Sequence, residues 1–193
     1  MSHRIDRLQQ DKGIKRLINL LRYKEVYRQG LGILLVLVFA LLAKPVYPWW
    51  QAGLALVVVG ELIRLWAAGM VLKNRVLATS GPYGFVRHPL YVGNILVLLG
   101  MVVIAWQPYL LLVLIAFLWF FYPPAIRYED IKLEELFGDD WRQWRAKVKA
   151  LIPTLPSYPG AKTPWSFGLA AKKNGELGIL VYIAACVVIA LKF

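Results

Sequence analysis

Cysteine occurs once in 193 residues and histidine only twice. The lone Cys186 lies inside an apolar run, which excludes an internal disulfide; a thiol surrounded by hydrocarbon stays protonated and reads as a small core residue. With so few thiols and imidazoles, no metal is expected. Acidic side chains are also scarce, 11 against 23 basic ones. The region before residue 30 lacks the short apolar run and small-residue cleavage site of a signal peptide, so the first apolar run is expected to stay as a span. There is no internal repeat and no segment with the composition of a separate soluble domain.

What the chain does have is apolar mass: 59% of it is hydrophobic, too much for a soluble domain of this length. Measured against the need for about 20 mostly apolar residues per crossing helix, five segments qualify. They run over 30–50, 49–72, 89–106, 108–126 and 177–192. The first holds Lys44 and Pro45, so its apolar core shrinks to "GLGILLVLVFALLA" and Lys44 must snorkel to the far interface. The connection "WQP" forces the third and fourth segments into an antiparallel hairpin. These spans place 20 of the 23 basic residues on one side: those before residue 30, then Lys73, Arg75 and Arg87, then those from Arg127 to Lys173. That side is expected to be the cytoplasm, and nucleic acid is not needed to explain the charge.

The fold class predicted is therefore all-α: a polytopic integral membrane protein of about five transmembrane helices with interfacial amphipathic helices. Residues 1–29 form a basic amphipathic region, with Ile14, Leu17, Ile18 and Leu21 on one face of an interfacial helix. Residues 30–72 hold two spans, 73–153 the core with its hairpin and a cytoplasmic helix, 154–175 a connector, and 176–193 the last span. Leu133, Phe137, Trp141, Trp144, Val148 and Leu151 recur at helical spacing after the fourth span, and "GDD" at 138–140 predicts a stop and a fresh cap. The Pro- and Gly-rich run from 153 to 168 reads as irregular.

Two clusters carry candidate chemistry. In "TSGPYGFVRHPLYVGN" (79–94), Pro89 is suited to the first position of a helix, with His88 as its cap. A helix start attracts anions, the preceding glycines let backbone come close to a ligand, and His88, Tyr91 and Asn94 share one face with Arg87 beside them. Plain alternatives stay open: Arg87 as a headgroup anchor and His88 as a cap only. The second cluster, "RYEDIKLEELFGDDW" (127–141), puts Glu129 and Asp130 near the end of the fourth span, where carboxylates oppose the helix dipole and call for a cation such as Arg87, Arg127 or a ligand. The hairpin returns them to the side of Arg87 and His88. Glu134, Glu135, Asp139 and Asp140 read as a solvated acidic patch. Glu61 and Arg64, three apart within the second span, are either a self-neutralised pair or a holder of an acceptor headgroup.

Taken together, "LATSGPY" (77–83), "RHPLYVG" (87–93) and "EDIKLEELFGDDW" (129–141) resemble the isoprenylcysteine carboxyl methyltransferase and phospholipid methyltransferase family of integral membrane enzymes. The resemblance covers roughly residues 60–153. It implies S-adenosylmethionine as methyl donor and membrane lipids as surroundings, with a lipid-like or prenylated methyl acceptor arriving from the bilayer. Matching positions place the cofactor against Leu77, Thr79, Gly81, Tyr83, His88, Tyr91, Gly93, Glu129 and Asp130, and give Arg87 and Glu129 the catalytic work. Chemistry agrees in kind, since a sulfonium favours aromatic faces and an amino-acid carboxylate favours a helix start. Asp130 stands where the family has a second Glu, Trp141 and Trp144 where it has Tyr, and Arg75 where many members have His. The last span, preceded by "KKNGELG", is absent from the eukaryotic prenylcysteine enzymes, so their acceptor does not transfer automatically.

Two other functions compete with this one. A nicotinamide-dependent membrane reductase of the sterol-reductase type calls for an Asn-Tyr-x-Gly-Asp/Glu motif, and "PLYVGN" lacks both its first Asn and its terminal acid. A non-catalytic membrane binding protein would keep the same corner without turnover.

Overall fold

Proline and glycine set the helix limits in this chain. The computed structural model describes residues 25–72, 75–155, 158 and 163–192. Helix α1 covers Glu25–Leu41 and α2 covers Trp49–Ala68. After a 3-10 turn at Gly81–Gly84, α3 covers Pro89–Ala105, α4 Pro108–Lys147, and α5 Glu176–Lys192. All regular structure among the described residues is helical, in agreement with the predicted class. The interfacial helix expected over 14–23, and part of the expected connector, lie outside the described residues.

Pro89 and Pro108 occupy the first positions of α3 and α4, where a missing N–H costs nothing and the fixed φ suits a helix. Helix α1 starts earlier than the predicted first span and stops at Leu41, so Lys44 sits exposed in the following loop instead of snorkelling from a helix; its N–H bonds to Ala105 O at 2.9 Å. Trp106, in the left-handed region at φ 51°, ends α3 and stacks on Trp49 with centroids 5.1 Å apart. The hairpin then turns at once into α4, whose 40 residues correspond to about 60 Å, twice a bilayer's hydrocarbon thickness. Its first half is apolar and its second half charged. Gly138, at φ 53° and ψ −120°, breaks it where the sequence predicts a stop. In the connector, a five-residue π turn at Leu169–Lys173 leads into α5.

Two helices, α2 and α4, are long and apolar enough to cross a membrane; α1 and α3 are apolar but shorter. Leu62, Leu112, Trp119, Val181 and Val188 are exposed on the outer faces, as a lipid-contacting surface would have them.

The closest packing is between α2 and α3, through two pairs of glycines seven residues apart. A Cβ on Gly60 would meet Gly93 O at 2.7 Å, and one on Gly53 would meet Gly100 O at 2.6 Å, so the two backbones touch directly. Around this seam Phe39, Ala40, Met101, Ile104, Leu110, Leu114 and Cys186 form the main core, which makes Cys186 a packing residue. A second core caps the helix ends: Trp141 and Trp144 are fully buried against Met70, Leu77 and Tyr83, and Trp144 Nε1 donates to Tyr83 O at 3.2 Å. The predicted amphipathic face of the second half of α4 is thus a built wall over the turn that precedes α3.

Candidate functional site

The Arg-His-Pro segment is held by its own backbone. Residues after α4 run beside it, with Arg87 N–H bonded to Lys149 O at 2.9 Å, His88 N–H to Ala150 O at 3.1 Å, and Thr154 N–H to Phe85 O at 2.9 Å. His88 occupies the cap position of α3 but its ring makes no capping bond. The ring turns instead to α4, with Nε2 3.1 Å from Asp130 Oδ1 and Nδ1 3.6 Å from Glu129 Oε2. The plain-cap reading therefore holds for the position and fails for the side chain.

Asp130 is the hub. It accepts from Arg87 Nη2 at 3.0 Å as well as facing His88, and it is buried. Arg87 Nη1 donates to Val148 O at 2.7 Å, while Nε is buried and has no hydrogen-bond partner among the described residues. Because α4 continues to Lys147, Glu129 and Asp130 lie inside a helix and not at its end; the dipole penalty expected from sequence does not arise, and Arg87 supplies the cation.

Glu129 differs from its neighbour in exposure: 46% of its side chain is accessible. Tyr91 contacts it through a side-chain hydrogen bond and accepts from Arg28 Nη2 at 3.1 Å, whose guanidinium also lies over the Tyr91 ring. Tyr91 in turn packs on His88 and on Tyr122, with centroids 5.4 and 5.3 Å apart. Tyr122 reaches Asn94, and Asn94 accepts from Arg64 Nη1. Arg64 pairs with Glu61 at 3.3 Å and with Glu176 of α5 at 2.6 Å, all three being buried. The intramembrane pair seen in the sequence is thus a triad joined by the last helix. Arg64→Met would leave two buried carboxylates without their cation, and is expected to destabilise the protein by about 3 kcal/mol, against much less for the triple variant with Glu61→Gln and Glu176→Gln, measured by thermal unfolding in detergent.

Burial acts to lower the basicity of His88, but the bonds to Asp130 and Glu129 outweigh it, and the ring is held above its ordinary 6.5. Burial alone would raise both carboxyls; the His88 contact outweighs it, helped by Tyr91 at Glu129 and by Arg87 at Asp130, and both lie below their usual range. The signs give a window. The histidine contribution is fully present below pH 6.5 and is lost as pH rises through its raised value; the carboxylate contributions are present above 4.5 and 3.8 and are lost as pH falls through their lowered values. Thermal stability is therefore expected to decline as pH rises above 6.5, and His88→Gln is expected to flatten that decline.

These groups open on a cavity of about 540 Å³ between α1, α3, α4 and α5, within the range of small-molecule sites. Of the residues singled out in the sequence, Arg64, Leu77, Tyr83, Arg87, His88, Tyr91, Asn94 and Glu129 line it. Thr79, Gly81, Gly93 and Asp130 do not. Thr79 is buried with no partner for its hydroxyl among the described residues; Gly81 at φ 59° packs on Met70; Gly93 faces Gly60 and Arg64, a helix-packing role in place of an approach to cofactor. Arg28, Lys132, Trp144, Asn174 and Glu176 also line the cavity and were not singled out as site residues. Only Glu176 carried a legible signal, as a carboxylate opening an apolar helix.

Residues 52–135 match the profile of the isoprenylcysteine carboxyl methyltransferase family. The cobalt-zinc-cadmium resistance protein CzcN of Cupriavidus metallidurans is 32% identical over 139 residues, covering 71% of this chain and 62% of that protein. The protein-S-isoprenylcysteine O-methyltransferase of Schizosaccharomyces pombe is 37% identical over 84 residues, 44% of this chain and 36% of the relative. A probable protein-S-isoprenylcysteine O-methyltransferase of Oryza sativa subsp. japonica is 30% identical over 115 residues, 53% of this chain and 60% of the relative. The chain thus spans less than two thirds of the length of each of these relatives. No solved structure gives a significant match. The matched segment holds most of α2, the glycine turn, the Arg-His-Pro start of α3, the hairpin and the Glu129–Asp130 pair, and through these residues this part of the chain is similar to the isoprenylcysteine carboxyl methyltransferase family.

Proposed function

We propose that this protein transfers a methyl group from S-adenosylmethionine to a lipid-like or prenylated amphiphile at the cytoplasmic face of a membrane that its five helices cross. One observation carries the reading: a single cavity joins a half-exposed carboxylate, Glu129, to a ring of aromatic and cationic groups above and to apolar helix walls below. The basic residues on the side where α1, α3 and α5 begin support the cytoplasmic orientation.

The cavity suits the donor. Tyr83, Tyr91, Tyr128 and Trp144 offer aromatic groups to a sulfonium, Glu129 offers an acceptor for ribose hydroxyls or an ammonium, and Lys132 offers a donor for a carboxylate. S-adenosylmethionine, when bound, supplies an electrophilic methyl on a sulfonium. The protein's part is placement and exclusion of water, which leaves the acceptor's nucleophile poorly hydrated and aligned. If the nucleophile is an amine, Glu129 takes its proton as the new bond to carbon forms; a carboxylate acceptor needs no proton acceptor. Both terminal nitrogens of Arg87 are committed to Asp130 and Val148, which supports a positioning role for Arg87, acting through Asp130 and His88, more than direct contact with the acceptor.

The test is calorimetric binding of S-adenosylhomocysteine to purified protein, beside Glu129→Ala and Arg87→Ala, followed by incubation with radiolabelled donor and total host lipid. Binding by the parent and label in a lipid fraction are expected; no binding by the parent would reject the assignment.

A further inference from the structure

Helix α4 has two lining faces. Glu129, Lys132 and Leu133 border the cavity described above, whereas Arg127, Asp130, Ile131 and Glu134, on the other side of the helix, border a second one of about 410 Å³. No residue lines both. The break at Gly138 completes the second cavity, because Trp141 and Arg145 from beyond the break line it together with Arg127. In an unbroken helix the 18 residues from Arg127 to Arg145 would span about 27 Å. A Cβ on Gly138 would meet nothing within 4 Å, so the glycine answers to its φ of 53° and not to crowding.

The charges in this cavity are unevenly committed. Asp130 already holds Arg87 and His88, and Glu134 accepts from Arg142 Nε at 2.8 Å. Arg127 and Arg145 have no carboxylate partner among the described residues. The Arg145 guanidinium lies 5.0 Å from the centre of the Trp141 ring, and Trp141, itself fully buried, has an indole Nε1–H with no hydrogen-bond partner among the described residues. Two uncommitted cations and an unused donor therefore border one space, and an anion with several acceptor oxygens would satisfy all three. Headgroup anchoring by itself would account for Arg127 but not for Arg145, which the break returns to the same cavity.

The rest of the wall is apolar. Pro123, Ile126 and Ile131 line it, and Arg127 is the first charged residue after the apolar run of α4. One helical turn before Pro123, Trp119 is 77% exposed on the outer face. The polar end of the cavity thus leads directly onto a hydrocarbon-facing surface, which suits an amphiphile better than a free anion.

We infer that this cavity on the outer side of α4 is a binding site for the phosphodiester headgroup of an anionic glycerophospholipid, held by Arg127 and Arg145 with Trp141 Nε1–H as a further donor. Its acyl chains lie along Trp119 and Pro123. The site is separated from the larger cavity by α4 and does not rest on the methyl-transfer reading.

The experiment titrates the full chain in detergent with dioleoyl phosphatidylglycerol, and separately with dioleoyl phosphatidylcholine, and counts retained lipid by native mass spectrometry. One tightly held phosphatidylglycerol is expected, with phosphatidylcholine lost far more readily. Arg127→Gln with Arg145→Gln is expected to weaken retention about 25-fold, or about fivefold for each cation. Trp141→Phe, which keeps a ring in the core, is expected to weaken it about fivefold. Thermal unfolding without lipid reports the folding of each variant, and Lys147→Gln, an exposed basic residue outside the cavity, is expected to bind as the parent does. Equal retention of the two lipids, or a loss in Lys147→Gln equal to that in the double variant, would overturn the site. Sodium phosphate or glycerol 3-phosphate binding as tightly as the lipid would mark a soluble-anion site and overturn its lipid identity. Lipid retention as expected in a protein that binds no S-adenosylhomocysteine would keep this site and reject methyl transfer.

Discussion

Gly93→Leu is expected to yield little folded protein. The Cβ alone would stand 2.5 Å from Arg64 Cγ and 2.7 Å from Gly60 O. One of these neighbours is backbone and the other is the stem of a buried cation tied to Glu61, Glu176 and Asn94, so neither yields without breaking something else. Overpacking by a full side chain costs about 3 kcal/mol or more even where flexible groups can retreat. Here the alternative is to part α2 from α3, which would displace Arg64, Asn94 and Tyr91 together and so dismantle the polar part of the cavity wall. Gly93→Ala is expected to fall between parent and Leu. Size-exclusion recovery and thermal unfolding in detergent read the effect; a Gly93→Leu protein with the parent's unfolding temperature would mean that the seam is not as tight as its geometry states.

Glu129→Gln is expected to lower turnover by about a hundredfold with an amine acceptor, the usual scale for removing a positioned proton acceptor. The substitution keeps size and one oxygen, while Asp130 still holds Arg87 and His88, so the fold is expected to stay intact. With a carboxylate acceptor the loss is expected to appear mainly in donor binding, since no proton then needs a destination. The comparison of kcat against donor KM for this variant therefore also reports the class of nucleophile. Full activity and full donor affinity in Glu129→Gln would remove this residue from the site. Asp130→Asn provides the contrast: it loosens Arg87 and His88 at once, and its effect is expected in stability as much as in rate.

The sequence made some of this legible because the signals are local. Pro89 and Pro108 mark helix starts by their own covalent geometry, and Gly138 marks the break in α4 because only glycine takes that φ cheaply. The two-residue connection at 106–107 forces a hairpin, and a hairpin must return Glu129 and Asp130 toward Arg87 and His88. The partner choice within that group was not local. The sequence offers Glu129 and Asp130 alike as partners for a cation; the structure gives the Arg87 guanidinium to Asp130 and turns Glu129 to the cavity, a difference of one residue and about 100° around a helix. Gly93 likewise reads as a ligand-approach glycine until its neighbour is known to be another helix.

By itself the amino-acid order determined an all-helical, strongly apolar chain with two chemical clusters brought to the same end, because periodicity and proline act over a few residues at a time. Tertiary structure alone decided which carboxylate takes the Arg87 guanidinium and which faces the cavity, that Glu176 on α5 completes the Arg64 triad 112 residues away, and that α1 and α5 wall the cavity. Those outcomes depend on how helices distant in sequence are rotated against one another. That rotation is fixed by packing over the whole bundle, above all by the glycine seam between α2 and α3.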